Sequence, residues 1–318
     1  MQFNDLLLSE PSTEAAIDQN PLIVAPETLL VDVIALMNMN QSTSHSKSSV
    51  DSSSVYFSKY QRHSSCVLVV QAKELVGILT ERDIVRLTAS CVNFQEVTIA
   101  EIMTKPVITL SQAEFSDIFG ALFLFRRYRI RHLPILGANG EIIGVVSPES
   151  IRSILTPAHL LKVMRVADVM NTQVIRTPKT ASVLSLAQVM AEYRVSCVVI
   201  NEEEPQLDLG CFIHKPIGIV TERDIIQFQA MQLNLAQVRA ETVMSTPLFL
   251  LNPEDSLWTA HLEMQRRRVR RLVVSWDGGR GLGLITQSNL LRMLDPIQMH
   301  GIVETLQRTV EKLKDTVQ

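Results

Sequence analysis

The chain has 318 residues, 46% hydrophobic and 20% charged, with 30 Lys and Arg against 33 Asp and Glu for a formal charge of -3. That is material for roughly two globular domains, and the acidic balance excludes a global positive field able to hold a nucleic-acid backbone or an anionic membrane. No stretch approaches the roughly 18 consecutive apolar residues of a spanning helix. The start MQFNDLLLSEPSTEAAID lacks the basic flank of a signal peptide, and Cys66, Cys91, Cys197 and Cys211 form no CxxC pair. These features predict a cytoplasmic chain without a zinc site or a disulfide scaffold.

In chain order, residues 1–20 read as an N-terminal segment, after which one unit recurs four times. Its openings are PLIVAPETLLVDVIALM at 21, KPVITLSQAEFSDIFGALF at 105, TQVIRTPKTASVLSLAQVM at 172 and TPLFLLNPEDSLWTAHLEM at 246. Met103, Met170 and Met244 announce the last three. The middles are the apolar runs SCVLVV, RHLPIL, SCVVI and RLVVSW. The ends are LVGILTERDIVRL, IIGVVSPESIRSIL, PIGIVTERDIIQF and GLGLITQSNLLRML. Val183, Leu186, Ala187 and Met190 keep helical spacing, whereas Val198–Ile200 and Ile217–Val220 are continuous β-branched runs of the kind buried on both faces. Each unit therefore reads strand, helix, strand, strand, helix. A unit of about 60 residues buries too little surface to stand alone, so the units are expected in pairs. The first pair spans 21–155 (repeats 21–90 and 102–155), a linker spans 156–168, and the second pair spans 169–294 (repeats 169–230 and 243–294). The Ser-rich stretch at about 40–54 reads as a disordered loop, and NEEEPQLDLGCFIHK as a long hairpin connection.

These units resemble CBS domains, and the two pairs resemble tandem Bateman modules. The resemblance covers Pro21 to Leu294 and implies a mixed α/β (α+β) fold of four β-α-β-β-α repeats in two pseudo-symmetric modules.

Two asymmetries stand out. Thr-Glu-Arg-Asp occurs at 80–83 and 221–224, while the even repeats keep the cap as Ser147 and Thr286 but put Ser150 and Asn289 where the odd repeats have Asp83 and Asp224. One reading is helix capping, with the acid closing a capping box. The other is a ligand site, in which the helix N-terminus and the Thr hydroxyl meet a phosphate and the carboxylate accepts from a ribose diol. Conversely, the even repeats carry Arg131-His132 and Arg270-Arg271 where the odd ones carry Ser65-Cys66 and Ser196-Cys197. RRYRIRH and QRRRVRRL also read as solvated helix ends complementing the dipole.

The resemblance implies binding of an adenine nucleotide (AMP, ADP or ATP) or S-adenosylmethionine. Thr80, Arg82, Asp83, Arg131 and His132 would serve one module, and Thr221, Arg223, Asp224, Arg270 and Arg271 the other. Adenine would lie against Val107–Leu110 and Leu248–Leu251, positions that also read as core. No nucleophile, base or metal cluster suggests an enzyme. GGRGLG at 278–283 precedes a strand and reads as a hairpin turn rather than a dinucleotide fingerprint, and Cys66 and Cys197 read as core.

Asp295 and Pro296 open a final helix whose Val303, Leu306, Val310, Leu313 and Val317 form a coiled-coil seam of about two heptads. Packing of this helix back on the modules is the alternative. The resemblance extends to the input regions of multidomain signalling proteins such as sensor histidine kinases. The expected role is a homodimeric regulatory module that passes a ligand signal to an output domain; the rival is a structural oligomerisation scaffold with vestigial clefts.

Overall fold

The structure, a computed structural model, describes residues 13–42, 65–154, 158–206 and 211–292. The Ser-rich stretch beyond residue 42 and the predicted C-terminal helix lie outside the described residues. Repeat one comprises β2 (Leu22–Val24), α1 (Leu30–Ser42), β3 (Cys66–Gln71), β4 (Glu74–Thr80) and α2 (Glu81–Ala89), after a 3₁₀ turn at Thr13–Ala16 and β1 (Ile17–Asp18). Following the short α3 (Ile99–Ile102), repeat two has β5 (Leu110–Ser111), α4 (Ile118–Tyr128), β6 (Leu133–Leu136), β7 (Ile142–Val146) and α5 (Pro148–Ile154). The linker contributes α6 (Ala158–Val163). Repeat three has β8 (Arg176–Pro178), α7 (Val183–Tyr193), β9 (Cys197–Gln206), β10 (Cys211–Thr221) and α8 (Glu222–Ala230). After α9 (Ala240–Val243), repeat four has β11 (Leu250–Leu251), α10 (Leu257–Arg267), β12 (Arg271–Trp276), β13 (Gly281–Thr286) and α11 (Gln287–Arg292). All four have the predicted β-α-β-β-α order.

In every repeat the first strand runs parallel to the second and the second antiparallel to the third. The hairpin of repeat three continues far past the sheet, pairing Cys211 with Gln206. GGRGLG makes the turn from β12 into β13, with Gly278 at φ 65° and Gly279 at φ 98°.

The second strands explain the pairing. Val198 and Ile200 face the helices of their own repeat, while Val199 between them faces Val273 and Leu282 of repeat four. In repeat one, Val67 and Val69 face α1, and Leu68 with Cys66 meets Val145 of repeat two. Alternation along a strand places successive residues on opposite faces. A strand apolar at every position therefore needs helices on one side and a sister sheet on the other.

Each pair is further tied by exchange of its openings. Thr104, at the start of repeat two, bridges Ile78 of repeat one, and Asp18 pairs with Val145 in the reverse direction. Ser245 and Asn171 repeat the exchange with Ile219 and Leu284 in the second pair. The conserved spacing of Gly and Met within the repeats follows from this crossing. A Cβ at Gly77 would fall 2.2 Å from Met103 Sδ, at Gly218 2.3 Å from Met244 Sδ, and at Gly283 2.8 Å from Met170 Sδ. Ile17 takes the methionine's place in repeat one, and a Cβ at Gly144 would meet the backbone oxygen of Asp18 at 2.3 Å.

The two modules then pack helix on helix, repeat one on repeat three and repeat two on repeat four. α2 lies against α7 and α8, α1 against α8, and α5 against α11. Val85 of α2 is buried in the core of repeat three, and Ile226 of α8 in that of repeat one. Gln229 Nε2 donates to Thr88 Oγ1 across this joint at 3.1 Å. Helical faces of each module are thus covered within one chain.

Because a methionine thioether can swing aside and a backbone oxygen cannot, Gly144→Ala should destabilise the protein more than Gly77→Ala, by about 1–3 kcal/mol. Chemical denaturation of the two variants side by side measures the difference.

Candidate functional site

The four helices that follow the third strands converge on the middle of the molecule, each held by the same local device. Thr80 N–H and Oγ1–H both donate to Asp83 Oδ2, at 3.0 and 2.7 Å. Thr221 N–H donates to Asp224 Oδ2 at 2.7 Å, and Asp224 N–H returns a bond to Thr221 Oγ1 at 3.4 Å. The even repeats close the same box with neutral side chains. Ser147 and Ser150 exchange bonds of 2.9 and 3.2 Å, and Thr286 and Asn289 bonds of 2.9 and 3.3 Å. Capping therefore requires an acceptor at this position but no charge. Burial pushes the Asp224 carboxyl up, against the opposing pull of Thr221, Arg271 and Arg223. Asp83 Oδ1 lies 3.7 Å from Arg86.

Glu81 and Glu222 occupy the first position of α2 and α8 and are only 4% and 1% exposed. Neither takes part in its own cap. Glu222 Oε2 accepts from Arg131 Nη2 at 2.7 Å, and its Oε1 lies 3.5 Å from Arg82 Nε. Glu81 lies 3.7 Å from Arg223 Nε and 3.6 Å from Arg270 Nη1. Every one of these contacts joins one module to the other. The Thr-Glu-Arg-Asp string thus divides its work: Thr and Asp close the cap, while Glu and Arg cross the joint. Sequence reasoning missed both glutamates. Their signal was the identical Glu in both odd repeats, adjacent to a cap that needs only Thr and Asp.

The arginine-rich stretches divide as well. Arg126, Arg127 and Arg129 lie exposed at the end of α4, and Arg266, Arg267 and Arg268 at the end of α10, where cations complement the helix dipole. Arg267 lies 4.0 Å from the Phe249 ring centre and 2.8 Å from Glu263. Arg131 and Arg270 instead turn inward.

There, Arg131, His132, Arg270 and Arg271 join Ser65, Ser147, Pro148, Glu149, Ser196, Thr286, Gln287 and Ser288 in lining a solvent-open cavity at the junction of the four repeats. Three arginines face a single glutamate, Glu149, which lies 2.9 Å from Arg270 Nη2. Arg271 Nη1 donates to the backbone oxygen of Ser196. Burial acts to lower Arg270, but Glu81, Glu149 and Glu222 outweigh it and raise its pKa. Burial and then neighbouring arginines lower Arg82 and Arg223. His132 Nε2 and Ser65 Oγ share a hydrogen bond of 2.6 Å. Burial, followed by Arg131, Arg270 and Arg82, brings His132 down to about 3, so it is neutral near pH 7.

The predicted residues thus meet in two ways. Arg131, His132, Arg270 and Arg271 share the cavity, whereas Thr80, Asp83, Thr221 and Asp224 are outside its lining. Arg82 and Arg223 are engaged across the joint. Val107 lies in the core between the sheets of the first pair, and Leu248 in that of the second. Cys66 and Cys197 are buried, and burial pushes the Cys197 thiol up. Among the described residues, no helix is long and apolar enough to cross a membrane, and no group of three or more His, Cys, Asp and Glu is placed to hold a metal.

Four α/β units, joined sheet to sheet in pairs and enclosing a shared cationic centre, define a tandem-repeat architecture. The chain belongs to the CBS domain family, which it matches over residues 14–90, 99–157, 166–230 and 240–296. It is 27% identical over 154 residues to an uncharacterized protein of Methanopyrus kandleri, covering 48% of this chain and 74% of that protein. With an uncharacterized protein of Methanocaldococcus jannaschii it shares 20% identity over 208 residues, 64% of this chain and 94% of the relative. The crystal structure of protein MJ1225 from Methanocaldococcus jannaschii superposes with a TM-score of 0.68 at 20% identity, covering 90% of this chain and 100% of that one.

The histidine predicts a pH dependence. Unfolding restores its ordinary affinity for protons, so between pH 6.5 and about 3 the unfolded chain binds more protons than the folded one. Stability is expected to fall as pH drops through that window, by about 1.4 kcal/mol per pH unit at the steepest from this group. Denaturation of wild type and His132→Gln at pH 6.5 and pH 4.5 should show a shallower loss in the variant.

Proposed function

We propose that the protein is a regulatory, non-catalytic module that binds an adenine nucleotide or an adenosyl compound and passes the resulting change in module packing to an output domain or partner. The supporting observation is the cavity at the four-repeat junction, where Arg131, Arg270 and Arg271 converge beside a neutral His132. Guanidinium forks match phosphate oxygens in geometry as well as charge, and a neutral imidazole can share hydrogen bonds without adding to the repulsion among the arginines.

In this reading the phosphate faces the central arginines, and the ribose diol faces Asp83 in one module and Asp224 in the other. The scaffold reading draws on a different observation: Glu81 and Glu222 already neutralise arginines at the joint, so the centre holds together with its own charges.

A thermal-shift titration with AMP, ADP, ATP and S-adenosylmethionine separates the two readings. A sensing module should gain about 2.7 kcal/mol at a ligand concentration of about 100 times Kd, whereas a scaffold shows no shift that grows with concentration.

The site assignment has its own test. Asn289 closes the box with Thr286 at the start of α11, so Asp83→Asn and Asp224→Asn keep the boxes closed while removing the carboxylates. The double variant should retain the ligand-free melting temperature and lose about 1.5–3 kcal/mol of binding per site. Undiminished binding by calorimetry would reject Asp83 and Asp224 as ligand contacts.

A further inference from the structure

At the centre Arg82, Arg131, Arg223, Arg270 and Arg271, with Arg152 beside them, surround Glu81, Glu149 and Glu222. Glu81 and Glu222 form two equivalent clusters. Each projects from the first position of a helix in one module, and each faces two arginines of the other, one on a helix and one just before a second strand. Removing two carboxylates this completely from water is costly, and neither is needed for its own helix cap. The clusters are also incompletely satisfied: Glu81 Oε1 and Arg82 Nε are buried with no hydrogen bond of their own, although opposite charges lie 3.7 and 3.5 Å away.

A carboxylate between two guanidinium groups offers them what a phosphate would offer: paired oxygens and negative charge. Arg131 and Arg270 belong both to these clusters and to the cavity lining. We propose that Glu81 and Glu222 are built-in competitors of the ligand: they occupy the arginines that a phosphate-bearing ligand must recruit, and so determine how many phosphates the centre requires. This rests on the reading of the cavity as a phosphate site.

A single phosphate can be met by Arg271 and, in exchange with the half-exposed Glu149, the cavity face of Arg270. A polyphosphate must also draw Arg131 from Glu222 and Arg270 from Glu81. Because each carboxylate and its arginines belong to opposite modules, that exchange removes ion pairs from the joint. Binding and module packing thereby become linked through the same side chains, and the linkage is reciprocal.

The test is calorimetry on the full chain with AMP, ATP and inorganic tripolyphosphate, comparing wild type with Glu81→Gln and Glu222→Gln. Each substitution should tighten ATP and tripolyphosphate by about tenfold and AMP by less than about threefold, as arginines are released to the ligand. Glu222→Asp keeps the charge but withdraws it by one methylene, and should tighten ATP by an intermediate factor. It serves as the deciding variant should a glutamine variant fail to fold. Hydrogen exchange in the wild type should show faster exchange at the starts of α2 and α8 when ATP is bound. Equal or weaker ATP binding in folded variants, with nucleotide binding by the wild type intact, would overturn the competition and leave the sensing function standing. Tighter tripolyphosphate binding in the variants with no nucleotide bound by the wild type would support the competition and overturn the function. Absence of binding throughout would reject both.

Discussion

The structure depends on strands that are apolar on both faces. Val198, Val199 and Ile200 are fully buried in sequence, and so are Val67, Leu68 and Val69. Helices of the same repeat can cover only one side of such a sheet. The other side requires a second sheet of the same kind, which is why the repeat cannot stand alone and why the chain contains an even number of them. Exchange of the opening segments adds to this constraint. Methionine or isoleucine from one repeat lies over a glycine of its sister, so each pair closes by reciprocal insertion rather than by simple stacking.

Pairing places the helices after the third strands at one edge of each module, and packing of module on module brings those edges together. Repeats one and three contribute the buried carboxylates Glu81 and Glu222 to the joint, repeat two adds Glu149, and repeats two and four contribute arginines at the entry to their second strands. The joint is therefore hydrophobic along α1, α2, α7 and α8 and ionic at its centre. Buried ion pairs are poor sources of net stability, because desolvation offsets most of their attraction. They are strongly selective for register, since displacing either module would leave a carboxylate or a guanidinium buried without its counter-charge. The apolar faces hold the modules together, and the central charges fix how they sit.

The same arrangement limits what a ligand can do. A neutral or weakly charged adenosyl compound would enter a centre whose ion pairs remain intact. A multiply charged nucleotide would meet arginines that already have partners, so its binding free energy would be measured against those pairs and not against water. On the proposed reading, such a centre would respond to ligand charge, with the response expressed where the modules meet.

The four-fold repetition, the order of elements within each unit, the boxes at Thr80 and Thr221 and the burial of Cys66 and Cys197 were legible in the sequence, because each depends on neighbours within a few residues or on a periodicity that repeats. The inward arginines were legible in part: Arg131 and Arg270 share a register that the outer arginines of the same stretches do not. What the arginines face was not legible. Glu222 is 91 residues from Arg131, and nothing in either local pattern marks them as partners. Asp83 and Ser150 close the same cap, so capping by itself does not account for the asymmetry between odd and even repeats. Local sequence determined the repeats, their caps and their two-faced strands, since these follow from backbone periodicity and short-range hydrogen bonds. Only the tertiary structure decided which module covers which helices and which carboxylate meets which arginine, because those contacts exist only after two already paired sheets have brought distant charges together.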